Sequence, residues 1–184
     1  MMHYPDKKKF MSLSKKGNLI PVYREISADI DTPVSAFLKM GSSKFSYLLE
    51  SIEGGEKIGR FSFLGSDPSL VFKSSGNKIE LRQGPKTRQF TTKKDPLFEI
   101  KKIMQIYRFV PVEGLPMFCG GLVGFIGYDM VRFFEDIPDK NPDDRKLPDS
   151  HFVLTDTIII FDRLEHKIKI VCNAYVKDRR DAAD

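Results

Sequence analysis

The spacing of turn residues constrains this 184-residue chain more than any other feature. From Phe45 onward, short apolar runs alternate with glycine, proline and asparagine. Phe45 to Ile52, Phe61 to Leu64 and Ser69 to Lys73 read as strands. Gly65-Ser66-Asp67-Pro68, Gly76-Asn77 and Gln83-Gly84-Pro85 read as the turns that follow them. Glycine supplies positive φ, proline fixes φ, and Asn or Asp bonds its own backbone, so each marks a reversal for a stated reason. Strands joined by such tight turns run antiparallel. Residues 61–91 are therefore expected to form one antiparallel meander.

Helix signals are fewer but sharp. Thr32-Pro33 and Asp95-Pro96 each place a capping side chain before a proline at the first helical position. The first helix should reach Met40 and stop at Gly41. The second should run to about Arg108, with Leu97, Ile100, Ile103, Met104 and Tyr107 on one apolar stripe. Lys101, Lys102, Gln105 and Arg108 lie off that stripe; Phe98 and Ile106 fall outside it too, which suggests cover on two sides. Leu19 to Ile26 reads as a strand that Pro21 confines to a sheet edge or to its start. Phe118 to Ile126 is strand-like, and a helix after Gly127 would turn Met130, Phe133 and Phe134 inward and pair Asp129 with Arg132. Asp139 to Asp149 reads as an exposed loop. Phe152 to Phe161 and Lys167 to Val176 read as a hairpin around residues 162–166. The fold class is α+β, antiparallel sheets with packed helices.

At this length one domain with a real core is expected. The net charge is +5, and part of the excess sits in Lys7-Lys8-Lys9 and Lys15-Lys16, ahead of the first core segment. Residues 1–18 are accordingly expected to be a flexible, solvated basic arm. Arg82, Lys86, Arg88, Lys93 and Lys94 surround turns and read as solvated surface, so no nucleic-acid partner is expected. Cys119 and Cys172 sit far apart in apolar runs and read as buried free thiols of a reducing compartment. No apolar run is long enough to span a bilayer and no secretory signal opens the chain, so no membrane is expected and the cytoplasm is the expected location. His3, His151 and His166 are scattered, no Cys-x-x-Cys is present, and Asp139, Asp143, Asp144 and Asp149 lack calcium-loop spacing, so no metal site is expected within these residues. No Gly-x-Ser-x-Gly elbow is present and Ser62 has no local base, so no catalytic residue is assigned.

Two segments could carry recognition chemistry. From Leu48 to Gly65 an apolar run stops at Glu50-Ser51, passes Gly54-Gly55, and restarts at Arg60-Phe61. Glu50 could accept an ammonium. Ser51, Arg60 and glycine N–H groups could donate to a carboxylate, and Leu48, Leu49, Phe61 and Phe63 could wall an apolar slot. That set suits a small zwitterion. The same residues also suit a plain polar hairpin with Glu50 paired to Lys57 or Arg60. The second segment runs from Gly120 to Glu135. It is neither Gly-x-Gly-x-x-Gly nor a phosphate loop, and its glycines suit close backbone approach more than ligand contact.

Leu48-Leu49-Glu50-Ser51, Glu53-Gly54-Gly55-Glu56 and Gly59-Arg60-Phe61-Ser62-Phe63-Leu64-Gly65 resemble the N-terminal region of anthranilate synthase component I, of the chorismate-utilising synthases. Gly120-Gly121-Leu122-Val123-Gly124-Phe125, Tyr128-Asp129, Val131-Arg132 and Glu135 resemble its second N-terminal signature. The resemblance spans roughly Ile20 to Val176 and implies the N-terminal part of a stacked β/α/α/β fold. It implies a lyase that makes anthranilate and pyruvate from chorismate and ammonia with Mg²⁺. A glutamine amidotransferase subunit supplies the ammonia, and tryptophan inhibits. It carries tryptophan binding to Ser51, with Glu50, Arg60 and Phe61 as neighbours. It also implies that chorismate and Mg²⁺ ligands lie outside these residues, leaving no cofactor in this chain and a fragment inactive alone. In that frame residues 19–176 are the regulatory domain and 177–184 the truncated start of the next segment. An uncovered edge and apolar face would favour a homo-oligomer. Aminodeoxychorismate synthase component I, or a free-standing amino-acid-binding module, are the alternatives.

Overall fold

Local chemistry sets most element boundaries in the computed structural model, which describes residues 2–41, 43–50, 59–140 and 142–177. In chain order the elements are α1 (Lys7–Leu13), β1 (Leu19–Ser27), α2 (Pro33–Lys39), β2 (Tyr47–Leu49), β3 (Phe61–Gly65), β4 (Leu70–Ser75), β5 (Lys78–Gln83) and β6 (Lys86–Thr91). They continue with α3 (Pro96–Met104), β7 (Gly121–Ile126), a 3₁₀ turn (Tyr128–Phe133), β8 (Ser150–Thr155), β9 (Thr157–Asp162) and β10 (Lys167–Tyr175). The fold is α+β, with two antiparallel sheets and few helices. The caps form as their residue types require. Thr32 accepts from the Ser35 N–H and Ser35 answers the Thr32 N–H; Asp95 accepts from the Phe98 N–H.

The chain divides into two compact units. The first comprises residues 1–68, 107–121 and 155–184 and holds the sheet β1-β10-β9-β3-β2. Both faces of this sheet are covered, and strand alternation assigns the residues. Tyr23, Ile158, Ile160 and Val171 pack with Cys119, Phe63 and Phe118 on one face. Leu64, Phe161 and Ile168 pack with Ala36, Phe37 and Met40 of α2 on the other. β1 is an edge strand, as Pro21 requires. On its outer side the N–H groups of Leu19 and Tyr23 donate to the carbonyls of Arg108 and Tyr4; Pro21, at the same parity, has none to offer.

The expected N-terminal arm is the first correction. Residues 7–13 form a helix capped by Asp6, and Leu13 is buried with Ile20, Val110 and Val176, with Phe10 against them. The lysine cluster favours solvent, but Phe10 and Leu13 supply an apolar face three residues apart. Residues 178–184 lie outside the described residues.

The second unit comprises residues 69–106 and 122–154 and holds the sheet β6-β5-β4-β8-β7. The expected meander over 61–91 therefore breaks: β4, β5 and β6 follow one another, but β3 pairs with β2 and β9 in the first unit's sheet. The expected strand Phe152 to Phe161 likewise divides at Asp156, with β8 in one sheet and β9 in the other. The apolar run hid that division. Along α3, Leu97, Ile100, Ile103 and Met104 are half-buried, and the helix ends at Met104, short of Arg108. At Phe98, Lys94 and Lys102 place their ammonium groups 4.1 Å and 4.5 Å from the ring centre, and Ile106 is exposed. Met130 is buried and Asp129 pairs with Arg132 at 2.9 Å, but Phe134 is exposed rather than inward. Cys119 is buried, and that burial pushes its thiol up to about 11; Cys172 is exposed, contrary to expectation. Among the described residues no helix is long and apolar enough to cross a membrane.

Candidate functional site

Pairing of β2 with β3 places Leu49 opposite Phe63, so Glu50 follows in line with Ser62. Pairing of β3 with β9 places Phe61 opposite Asp162, and the Arg163 N–H donates to the Arg60 carbonyl at 2.9 Å. Three chain segments distant in sequence therefore end side by side: the end of β2, the start of β3 and the turn between β9 and β10. Glu50, Arg60 and Phe61 are brought together there. Ser51, with Lys57 and the Gly54-Gly55 pair, lies outside the described residues.

Among the described residues Glu50 does not pair with Arg60, one of the two partners a plain hairpin would offer; Lys57, the other, lies outside them. Glu50 Oε1 accepts from Arg163 Nη2 at 2.5 Å, and the same nitrogen donates to Ser62 Oγ at 3.3 Å. Arg60 turns to the β9–β10 turn. Its Nε and Nη2 donate to the two oxygens of Asp162 at 2.9 Å and 2.6 Å, and Nη2 also donates to Glu165 Oε1 at 3.0 Å. This two-point grip is the geometry in which guanidinium and carboxylate bind most strongly. The Arg60 guanidinium also lies 4.8 Å from the Phe61 ring centre.

Asp162 anchors the turn. It is 2% exposed, and its Oδ1 accepts the N–H groups of Leu164 and Glu165. Burial alone would push its carboxyl up. The hydrogen bond from Arg60, the backbone N–H groups and the Arg60 charge outweigh that and hold it below the usual carboxylate range. The charges continue along the strands: Glu165 Oε2 lies 3.6 Å from both Lys167 and Lys169, and both lysines bond Glu25 of β1. Lys169 is nearly fully buried. The Lys169 hydrogen bond is the largest cause holding Glu25 below its ordinary value.

The sequence alone does not mark Asp162, Arg163 or Ser62 as site residues. An Asp opening a turn is a local signal, because it can cap the N–H groups two and three residues on. Its pairing with Arg60, 102 residues away, has no local signal.

Two glycines of the second segment, Gly120 and Gly124, serve packing. A Cβ on Gly124 would lie 1.9 Å from the His151 carbonyl oxygen and 2.7 Å from Phe152 Cα. One on Gly120 would lie 2.3 Å from Asn173 Nδ2, which donates to the Cys119 carbonyl at 2.8 Å. Backbone thus meets backbone or a buried amide where a side chain would otherwise stand. Among the described residues no group of three or more His, Cys, Asp or Glu side chains could hold a metal ion.

Comparison with known proteins gives one consistent relationship. No protein-family model matches the chain. It is 38% identical to anthranilate synthase component 1 of Acetivibrio thermocellus over 182 residues, which are 99% of this chain and 37% of that protein. It is 43% identical to anthranilate synthase component 1 of Aquifex aeolicus over 169 residues, 90% of this chain and 34% of that protein. A crystal structure of anthranilate synthase component I from Streptococcus pneumoniae TIGR4 matches at 26% identity and a TM-score of 0.49, covering 83% of this chain and 31% of that one. The chain spans about a third of the length of the curated relatives it matches.

Proposed function

The chain belongs to the anthranilate synthase component I family, and we propose that it is the N-terminal, regulatory portion of an enzyme that makes anthranilate and pyruvate from chorismate and glutamine-derived ammonia. The observation that carries this reading is identity extending over 99% of the chain while covering 37% of a relative. Reaction chemistry would then belong to residues beyond these. Mg²⁺ ligands would belong to those residues as well, and no step here runs through that ion. A glutamine amidotransferase subunit would deliver the ammonia.

Within this portion the role is regulation by tryptophan. Ser51 would hold the effector, with Glu50, Arg60 and Phe61 beside it. The reading is supported by the convergence of charged groups of both signs next to an aromatic ring. Tryptophan would favour a conformation that binds chorismate poorly, and chorismate must then weaken tryptophan by the same factor.

The test uses the full-length enzyme supplied with chorismate and ammonia. Anthranilate and pyruvate should appear, and tryptophan should suppress them. Ser51→Ala should raise the tryptophan concentration for half-inhibition, measured against that variant's own uninhibited rate. Aminodeoxychorismate as product would overturn the assigned reaction. An unchanged half-inhibition value in Ser51→Ala would overturn the assigned residue.

A further inference from the structure

We propose that one face of the β4-β5-β6 strands carries a phosphate-binding cavity, which takes a phosphate dianion, free or as the head of a small monoester. Strand register builds it. β4 pairs with β5 and β5 with β6, so Lys73, Glu80 and Gln89 stand in one row across the three strands. Ser75, Lys78 and Thr91 stand in a second row two residues further along, and side chains two apart share a face. The chain returns beside this face at residues 146–148. Together these residues line a cavity of about 630 Å³, a size in the range of small-molecule sites.

The returning segment is held in place. The Asp149 N–H donates to the Ser74 carbonyl at 2.8 Å, and Asp149 Oδ2 accepts the Gly76 N–H at 2.6 Å. Gly76 sits at φ 51°, in the tight turn that joins β4 to β5. One aspartate thus fixes Lys146 and Pro148 against the hairpin before any ligand arrives, which lowers the ordering cost of binding.

Charge decides what the cavity takes. Ammonium groups of Lys73, Lys78 and Lys146 line it against a single carboxylate, that of Glu80. Among the described residues neither Lys78 nor Lys146 has an ion-pair partner. Lys73 reaches Glu80 only at 4.0 Å, while Glu80 Oε2 accepts from Gln89 Nε2 at 3.0 Å. The positive charges are therefore in excess, and net positive charge in a concave site raises the local concentration of anions. Ser75 and Thr91 add hydroxyl donors. A phosphate monoester carries about two negative charges near neutral pH and three acceptor oxygens, so it can meet ammonium groups from several sides at once. Glu80 is left as the acceptor for a hydroxyl on the body of such a molecule. No residue of this cavity belongs to the β2–β3 strand ends or to the β9–β10 turn.

The experiment is titration calorimetry on the full-length protein with inorganic phosphate, glycerol 3-phosphate and, as the uncharged control, glycerol. Both phosphates should bind saturably and glycerol should not. Tighter binding of glycerol 3-phosphate would identify a monoester as the source of the group, and tighter binding of inorganic phosphate the free ion; both support the site. Lys78→Gln and Lys146→Gln should each weaken phosphate about 10-fold, the lower end for a charge-assisted hydrogen bond. Their exposed positions should leave the unfolding midpoint in place. Lys86→Gln, on the same sheet but outside the cavity, should change nothing. Glu80→Gln should tighten phosphate binding, because it removes the one opposing charge; merely structural residues would not act with opposite signs. Absence of saturable binding by either phosphate would overturn the proposal. So would binding that Lys78→Gln and Lys146→Gln both leave unchanged, which would place the anion elsewhere on the protein.

Discussion

The two glycine-bearing segments look alike in sequence and do opposite work. Residues 48–65 bring side chains to a point: Glu50, Arg60 and Phe61 meet Asp162 and Arg163 on a distant turn. Residues 120–135 keep side chains away, so that Gly124 passes within contact of the His151 carbonyl and Gly120 lies against Asn173. The first segment trades in charge, which tolerates solvent and can be offered to a ligand. The second trades in volume, which cannot be offered to anything without loosening the fold. A glycine motif alone therefore says little about binding; what matters is whether charged side chains converge beside it or another backbone fills the space.

Substitution can break this contrast at its strongest point. Gly124→Ala should destabilise the full-length enzyme by roughly 3 kcal/mol, because the new methyl meets backbone and not a movable side-chain tip. Thermal unfolding reads that loss, and a neutral Gly124→Ala would show the close approach to be unimportant. Asp162→Ala should cost about 2 kcal/mol by the same measurement: it leaves Arg60 without its main partner, though Arg60 is partly solvated and so less demanding than a fully buried cation.

The same carboxylate gives the contrast a pH signature. The folded carboxyl of Asp162 is held below its ordinary value, and that of Glu25 likewise. Each therefore contributes stability that is fully present above the unfolded carboxylate range and is lost as pH falls through the lowered folded value. Unfolding midpoints should hold down to about pH 5 and fall below about pH 4. Asp162→Asn should have a lower midpoint at neutral pH and a shallower acid decline; an equal decline in both proteins would assign the acid sensitivity to other groups. The smallest effect belongs to the exposed pair. Glu50→Gln should change stability by less than about 1 kcal/mol, since ion pairs in contact with water contribute little.

The legible parts of the sequence are those whose causes are local. Thr32-Pro33 and Asp95-Pro96 start helices because cap and proline act within one turn, and Pro21 marks an edge strand because a missing N–H is a property of one residue. The illegible parts depend on what lies across the sheet. β3 and β4 read as neighbours in one meander because the turn between them looks like any other; that they join different sheets is decided by strands far along the chain. Thr155-Asp156-Thr157 interrupts an apolar run too briefly to announce that the chain is changing sheets. The site shows the same divide. Glu50, Arg60 and Phe61 were readable as candidates, but Arg163 lies 113 residues from Glu50 and no spacing rule connects them. Residues 1–18 show the opposite case: the local signal is there in Phe10 and Leu13, but conspicuous lysines mask it.

The claim that residues 48–65 recognise a ligand while residues 120–135 pack is tested most directly by Glu50→Gln in the full-length enzyme, read twice on one sample. The account predicts that the tryptophan concentration for half-inhibition rises about 10-fold or more while the unfolding midpoint without tryptophan moves by no more than a few degrees. An unchanged response to tryptophan, with or without a fall in the midpoint, would contradict it and return Glu50 to the role of a surface ion pair.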